Sequence, residues 1–479
     1  MISDQRAATA DAGDENRLVD PMRIQRVGIW LVCIGLLGLA GTTFRRPNTS
    51  PEVIVLALCV VGLLIGIWLV VSDGWRSSAV RIGAAATSMA VVAVLAAPAL
   101  VPFFQIRVFV VTTIVAVALA ALALLRPAIS RTILLACTFV AVATFSIGAL
   151  SVLGGEAPPI DVVELHEQAV VALNAGENPY STGSVSVYES LPQGGGETIQ
   201  EYTYPPINLA WYWVGDAISG DVRAGGAIAI ALAFVLVGLI GLQGPETRVA
   251  PTVAVLGLLL ANQAHYLMVS NGWTEAVAVP FFLASLLLWK KVPMASAVLL
   301  GLALASKQYF ILAIPVVLVL PDSRRYMRAG VASVVAALTF LPFVLWDVRG
   351  LIDGVIVHHL TRTPRPDGMT LANLGIEVPT VLALAAAVGV GVLLGRRARG
   401  GGSTLLSLSA VFSVFTILAV RGFINTWWMV FWLVAAALLV PDWSSATIDE
   451  DAAGSSTDAQ RQDQRMASRG HAHGDYKAG

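Results

Sequence analysis

Apolar runs of roughly 18–22 residues recur along most of this chain, and they restrict its fold more than any other feature. A run of that length can cross the hydrocarbon layer of a bilayer as a helix. Only 13% of the 479 residues are charged, and the mean hydropathy is +0.75, which excludes an ordinary soluble globular domain. We therefore predict an all-α polytopic membrane protein with about 12–14 transmembrane helices.

The predicted spans share high hydropathy and a length sufficient to cross a bilayer. In chain order they are residues 26–44, 52–72, 80–101, 105–125, 131–153, 221–243, 249–269, 273–290, 326–347, 377–395, 403–420 and 423–441. Two shorter apolar segments, 292–305 and 308–320, meet at a predicted hinge at Ser306 and Lys307. Basic residues flank both ends of this pair, which predicts that the ends are cytoplasmic and the hinge lies toward the outer face.

Lysine and arginine mark cytoplasmic loops, so their distribution predicts the topology. With the N-terminus inside, the layout puts 21 of the 30 lysines and arginines on the cytoplasmic side and 9 outside. We expect a multi-pass protein of the inner (plasma) membrane with both termini in the cytoplasm. The chain divides into disordered termini, four leading helices, a core and a C-terminal part: 1–22, 23–130, 131–347, 348–441 and 442–479.

A long polar segment, residues 154–205, interrupts the apolar pattern and forms the first outer loop. Its 52 residues include eight acids and no lysine or arginine, which predicts an extracytoplasmic position. Within it, residues 160–175 have helical spacing, with Asp161 and Glu164 on the face opposite the valines. This helix and a second one at 207–219 are predicted to lie on the membrane surface.

Most polar groups that could carry chemistry collect at the predicted outer face. They are Asp161, Glu164, Asn271, Glu275, Lys307, His358, His359, Arg362 and Arg365. Ionisable groups at membrane depth are costly, which makes Lys307 and Glu275 functional candidates, although a buried ion pair that fixes helix packing is the alternative. His166 falls on the apolar side of its helix, which favours a packed, hydrogen-bonded histidine over a catalytic one.

Other chemistries lack sequence support. The chain has no phosphate-binding glycine motif, zinc-binding helix or nucleophile elbow, so nucleotide hydrolysis and serine-type acyl transfer are not indicated. The three cysteines lie inside apolar runs and suggest neither a disulfide nor a metal site. A formal net charge of −1 does not indicate a nucleic-acid partner.

Several short segments, in a fixed order between residues 131 and 441, resemble bacterial GT-C superfamily glycosyltransferases of the polyprenyl-phosphate-mannose-dependent mannosyltransferase type. The matching pieces are Asp161, His166 and Ala169 leading to Gly176–Tyr180, then Tyr204-Pro205-Pro206, then Gly301 with Ser306-Lys307-Gln308, then Trp346-Asp347 with Arg362 and Arg365-Pro366-Asp367. This sequence departs from the common plan by carrying four spans ahead of the core.

The resemblance implies a GT-C-like core with two extracytoplasmic juxtamembrane helices. It also implies transfer of a sugar, mannose in the first instance, from a polyprenyl-phosphate carrier to a lipid, glycan or protein acceptor of the cell envelope. Asp161 and Glu164 would be catalytic, with Asp161 the general base. Implied substrate-binding residues are His166, Tyr180, Tyr204, Glu275, Lys307, Gln308, His358, His359, Arg362 and Arg365. No cofactor or divalent metal is expected, because Asp161-Val162 stands where some relatives carry paired acids.

Two other function classes remain open. A transporter or flippase of lipid-linked glycans would use the hinge at Lys307 as a binding site near the membrane midplane. Internal repeats would favour that reading, and residues 131–347 have no convincing duplicate elsewhere in the chain. A non-catalytic membrane scaffold is the third hypothesis, but a scaffold gives little reason to bury Lys307 and Glu275.

Overall fold

The computed structural model of the chain describes residues 58–68, 106–126, 128–158, 160–181, 201–361 and 368–440, together with residues 31 and 199. This described part is mostly helical and contains no β-strand. Five of its helices are long and apolar enough to cross a membrane, and one bent pair makes a sixth. The chain is therefore a multi-pass helical membrane protein. The total of 12–14 spans stays a prediction, because the runs 26–44 and 80–101 lie outside the described residues.

The helices are numbered here in chain order over the described residues. Those of the first half are α1 (Leu58–Trp68), α2 (Ile106–Leu125), α3 (Arg131–Leu153), α4 (Asp161–Asn174), α5 (Pro206–Ser219), α6 (Ala224–Gln243), α7 (Val249–Ala261) and α8 (Ala264–Ser270). Those of the second half are α9 (Glu275–Leu288), α10 (Pro293–Leu304), α11 (Ala313–Val319), α12 (Arg325–Ile352), α13 (Thr380–Gly395), α14 (Gly401–Leu418) and α15 (Ile424–Ala437).

The two short helices predicted around the first polar loop are present as α4 and α5, within one residue of the predicted bounds. Pro206 occupies the first turn of α5, where its missing N–H leaves no helical hydrogen bond unmade. Gly176 follows α4 and Gly220 follows α5, each at a φ of 73°. This left-handed backbone is adopted most readily by glycine, which is why glycine suits both helix ends.

The predicted span 249–269 is broken near Asn262. Its two parts, α7 and α8, meet at an angle of 56°. The break is stabilised locally, because the Asn262 side chain accepts the Ala264 N–H at 3.1 Å and the His265 ring bonds to the Leu259 carbonyl. Polar side chains thus replace helical hydrogen bonds lost at the break.

The predicted hinge between the segments 292–305 and 308–320 is present. Helix α10 ends at Leu304, and Lys307 has an extended backbone with φ −155° and ψ 143°. A 3-10 turn at Gln308–Leu312 then leads into α11. Because the backbone of Lys307 is extended and not helical, its side chain can point into the protein.

The second outer loop, predicted at 348–376, is helical over its first part. Helix α12 is interrupted at Asp347, with φ −157° and ψ 97°, and helical turns then continue to Leu360. Leu351 and Val355 explain the difference, because they are buried against the aromatic residues of the first loop. Burial of an apolar stripe stabilises helical turns that polar neighbours alone would not predict.

The centre of the bundle is formed by α14 and α15, whose residues are almost all buried. In contrast, of the 18 most apolar consecutive residues in the long helix Arg325–Leu360, which contains α12, only 11% are buried. For α14 the corresponding share is 89%. Helix α12 therefore lies at the edge of the described bundle.

Candidate functional site

A buried ion pair lies where the hinge meets the start of α9. The Lys307 Nζ is 2.9 Å from the Glu275 Oε1, and it also donates to the Thr274 hydroxyl at 2.7 Å. Glu275 is completely buried and Lys307 is 9% exposed. Glu275 is the first residue of α9, where the helix dipole stabilises a carboxylate. The ion pair that the sequence offered as the alternative to a functional role is therefore present.

Two further side chains hold the Glu275 carboxylate. The Tyr309 hydroxyl donates to Oε1 at 3.1 Å, and the Asn425 Nδ2 donates to Oε2 at 2.8 Å. Both oxygens of the buried acid are therefore hydrogen-bonded, as a buried charge requires. Sequence reasoning missed both residues, although Tyr309 lies only two positions beyond Lys307.

The segment that ends the first polar loop, residues 201–205, lies against Lys307. The Lys307 Nζ lies 5.0 Å from the centre of the Tyr204 ring, a cation–π contact. The Thr203 carbonyl accepts from Gln308 Nε2 at 2.9 Å, and the His359 Nε2 lies 3.0 Å from the same oxygen. Four of the predicted substrate-binding residues, Tyr204, Lys307, Gln308 and His359, are thus brought together around one short segment.

His166 is packed into an aromatic cluster beneath the same loop. Its ring stacks on Tyr212 with 3.8 Å between centroids, and its Nδ1 lies 3.0 Å from the Tyr202 hydroxyl. Burial lowers the pKa of His166 to about 3; a backbone contact with Gly272 opposes this effect, and the nearby charge of Lys307 adds to it. The geometry fits the packed, neutral histidine better than a residue that contacts substrate.

The two predicted catalytic acids both lie on α4, but in different surroundings. Asp161 is its first residue and is only 7% exposed. Glu164 is half-buried and accepts a hydrogen bond from Gln168 at 3.2 Å. The sequence predicts that these residues share the face opposite the valines, turned toward water or a cavity. In the structure, Glu167 and Val171 are exposed instead. The loop and α5 cover α4 from more than one side, which helical periodicity does not reveal.

Tyr180 joins the two ends of the first loop. It is fully buried, and its hydroxyl donates to the Tyr204 carbonyl at 2.7 Å. Two glycines permit this packing: Gly350, near the end of α12, and Gly354, in the helical turns from Asp353 to Leu360 that continue it (the α12 extension). A Cβ at Gly350 would clash with the Tyr180 carbonyl, and a Cβ at Gly354 would lie 2.5 Å from the Tyr202 carbonyl. The Tyr180 hydroxyl, expected at substrate, is therefore engaged within the protein.

His358 lies next to His359 in the helical turns that continue from α12 to Leu360. His358 is half-buried, and its ring centre is 5.3 Å from that of His359. Arg362 and Arg365 fall outside the described residues. Within the part of the chain that the structure describes, no group of three or more His, Cys, Asp or Glu side chains could hold a metal ion.

The site thus contains one buried ammonium–carboxylate pair with an aromatic loop segment above it, and α4 of the same loop begins with a buried acid. We compared the chain with protein-family models, with curated proteins and with solved structures. No family model, no curated protein and no solved structure matches it.

Proposed function

We propose that this protein is a GT-C-type glycosyltransferase that uses a polyprenyl-phosphate sugar, with mannose as the first sugar to test. The observation that carries the proposal is the buried Lys307–Glu275 pair under Tyr204. Burying two charges costs several kcal/mol of desolvation, which packing alone seldom requires. A cation beneath a loop that also carries buried acid provides groups for both a phosphate and a sugar hydroxyl.

Lys307 has the capacity to bind a phosphate oxygen. An ammonium group has three N–H donors, and two are directed to Glu275 and Thr274. The third donor can serve an oxygen of the donor phosphate, and its positive charge would stabilise the phosphate as it leaves. On sequence grounds we assign Arg362 or Arg365 as a second cation.

Asp161 is proposed as the general base, with Glu164 as the second acid. The acceptor hydroxyl oxygen would attack the anomeric carbon of the sugar while Asp161 takes the hydroxyl proton. The bond between the anomeric carbon and the phosphate oxygen breaks, and its electron pair stays with the lipid phosphate.

The test is sugar transfer in membranes that contain the chain and labelled polyprenyl-phosphate mannose. Asp161→Asn should lower turnover by about 100-fold or more, because general base catalysis contributes at least that factor. Glu167→Gln is the matched control, since it makes the same change on the exposed face of the same helix, and it should stay within about twofold of the native rate. Native turnover by Asp161→Asn would remove Asp161 from the mechanism.

The phosphate contact has its own test in the same assay. Lys307→Ala should weaken use of the donor more than Lys307→Arg, because arginine keeps a positive charge that can still reach a phosphate. Equal losses in the two variants would argue against a phosphate contact.

The proposed location is the inner membrane, with the site on the extracytoplasmic side and both termini inside. The support is the absence of lysine and arginine from residues 154–205. A topology reporter fused near Gly195 should report an extracytoplasmic position, and a cytoplasmic report would reverse the layout.

A transporter or flippase of lipid-linked glycans is the second candidate, favoured by one observation. The break of 56° between α7 and α8 gives the bundle a discontinuous helix, and such helices form substrate sites in many transporters. Reconstituted vesicles distinguish the two functions. A flippase moves a labelled polyprenyl-phosphate sugar between leaflets without changing it, whereas the enzyme releases its sugar to an acceptor.

A further inference from the structure

Asn425 reaches the ion pair from a distant part of the chain. It is the second residue of α15, and it is 8% exposed. Its Nδ2 donates to the Glu275 Oε2 at 2.8 Å, across 150 residues of sequence. Lys307 and Tyr309 both contact Oε1 of Glu275, so Asn425 holds the oxygen that these two residues leave open.

The orientation of this amide is determined by its partner. With the amide reversed, its oxygen would face a carboxylate oxygen, and two acceptors cannot share a hydrogen bond. Hydrogen bonds to a charged group are about twice as strong as those between neutral groups, so the contact restrains Glu275 strongly. Asn425 and Tyr309 thus hold the two oxygens of the carboxylate from different sides.

We propose that Asn425 is a positioning residue that acts on Lys307 through Glu275. This inference rests on the proposed function, in which Lys307 binds the donor phosphate. When the ammonium turns toward a phosphate, the carboxylate stays in place because Asn425 and Tyr309 retain it. The Lys307–Glu275 pair therefore stays in place with a net charge of zero. The amide of Asn425 is also neutral, so it adds no negative charge that would repel the phosphate.

Asn425→Asp is the decisive variant, because it keeps the shape of the side chain and adds one negative charge. Two carboxylates this close share a proton at mildly acidic pH, and the second ionises only as the pH rises toward 7.5. We expect the KM for polyprenyl-phosphate mannose to rise about 10-fold or more at pH 7.5, with a smaller change in kcat. The KM should return toward the native value at pH 5.5.

Two companion variants separate charge from packing. Asn425→Leu has a similar volume and no charge, so its effect should not change between pH 5.5 and 7.5. In the double variant Asn425→Asp with Glu275→Gln, the amide and the carboxylate exchange places. This exchange should restore at least half of the lost stability and remove the pH dependence, even if Asn425→Asp alone does not fold at pH 7.5.

Unfolding by SDS in mixed micelles, without substrate, gives a readout independent of activity. Either of two results overturns the inference. The first is that Asn425→Asp unfolds at the same SDS fraction as the native chain at both pH 5.5 and pH 7.5. The second is that the stability of Asn425→Leu depends on pH in the same way as that of Asn425→Asp. If the unfolding behaves as expected but the native chain transfers no sugar, the proposed function fails while the coupling of Asn425 to Glu275 stands.

Discussion

The buried His166 makes a sharp prediction about acid stability. Its pKa is about 3 in the folded chain, compared with an ordinary value of 6.5. Between about pH 3 and pH 6.5, His166 is therefore protonated in the unfolded chain and neutral in the folded chain. The stability from this group is complete above pH 6.5 and is lost as the pH falls below that value.

The size of the effect follows from the pKa difference. Each pH unit in the window costs about 1.4 kcal/mol, so lowering the pH from 7.5 to 4.5 should remove roughly 2–3 kcal/mol through His166. His166→Phe retains a ring that can stack on Tyr212 but removes the hydrogen-bond partner of the Tyr202 hydroxyl. We expect a loss of about 1–3 kcal/mol at pH 7.5 and a shallower dependence on pH.

SDS titration of unfolding at several pH values measures both quantities. His358→Phe is the matched control, because His358 is only half-buried at the end of the α12 extension, and it should leave the native acid slope unchanged. If His166→Phe loses stability with falling pH as steeply as the native chain, the buried neutral histidine is not the source of the effect.

Two further perturbations test the packing around the site. Lys307→Met and Glu275→Gln should each lower the free energy of unfolding by about 3–5 kcal/mol, because each leaves a buried partner unpaired. The double variant should lose much less than the sum of the two single losses, and additive losses would argue against the ion pair. Gly354→Ala would place a Cβ 2.5 Å from the Tyr202 carbonyl, whereas a Cβ at Gly330, inside α12, would meet nothing within 4 Å. Gly354→Ala should cost about 1–3 kcal/mol and expose the first loop to protease, while Gly330→Ala should gain up to about 1 kcal/mol of helix propensity; equal protease resistance would contradict the close packing.

Local sequence signals determined the class of the protein and much of its helical layout. Apolar runs require helices in a bilayer, because the lipid offers no hydrogen bonds to the backbone. The helices α4 and α5 match their predicted bounds within one residue, because helical spacing is a local property of the sequence. The same holds for the hinge at Lys307, which separates two apolar segments too short to span separately. Lys307 and Glu275 stood out because few ionisable residues occur at that depth, and the sequence offered their ion pair as the alternative to a functional role.

The tertiary structure alone decided which side chains surround those two residues and which face of α4 is covered. Asn425 meets Glu275 across 150 residues, and a single asparagine in an apolar run carries no signal of its partner. The burial of His166 depends on Tyr202 and Tyr212, and the helical turns beyond Asp347 depend on contacts with the first loop. Helical periodicity reports only the neighbours along one helix. Contacts between distant segments depend on how all the helices pack together, and that information is spread over the whole chain.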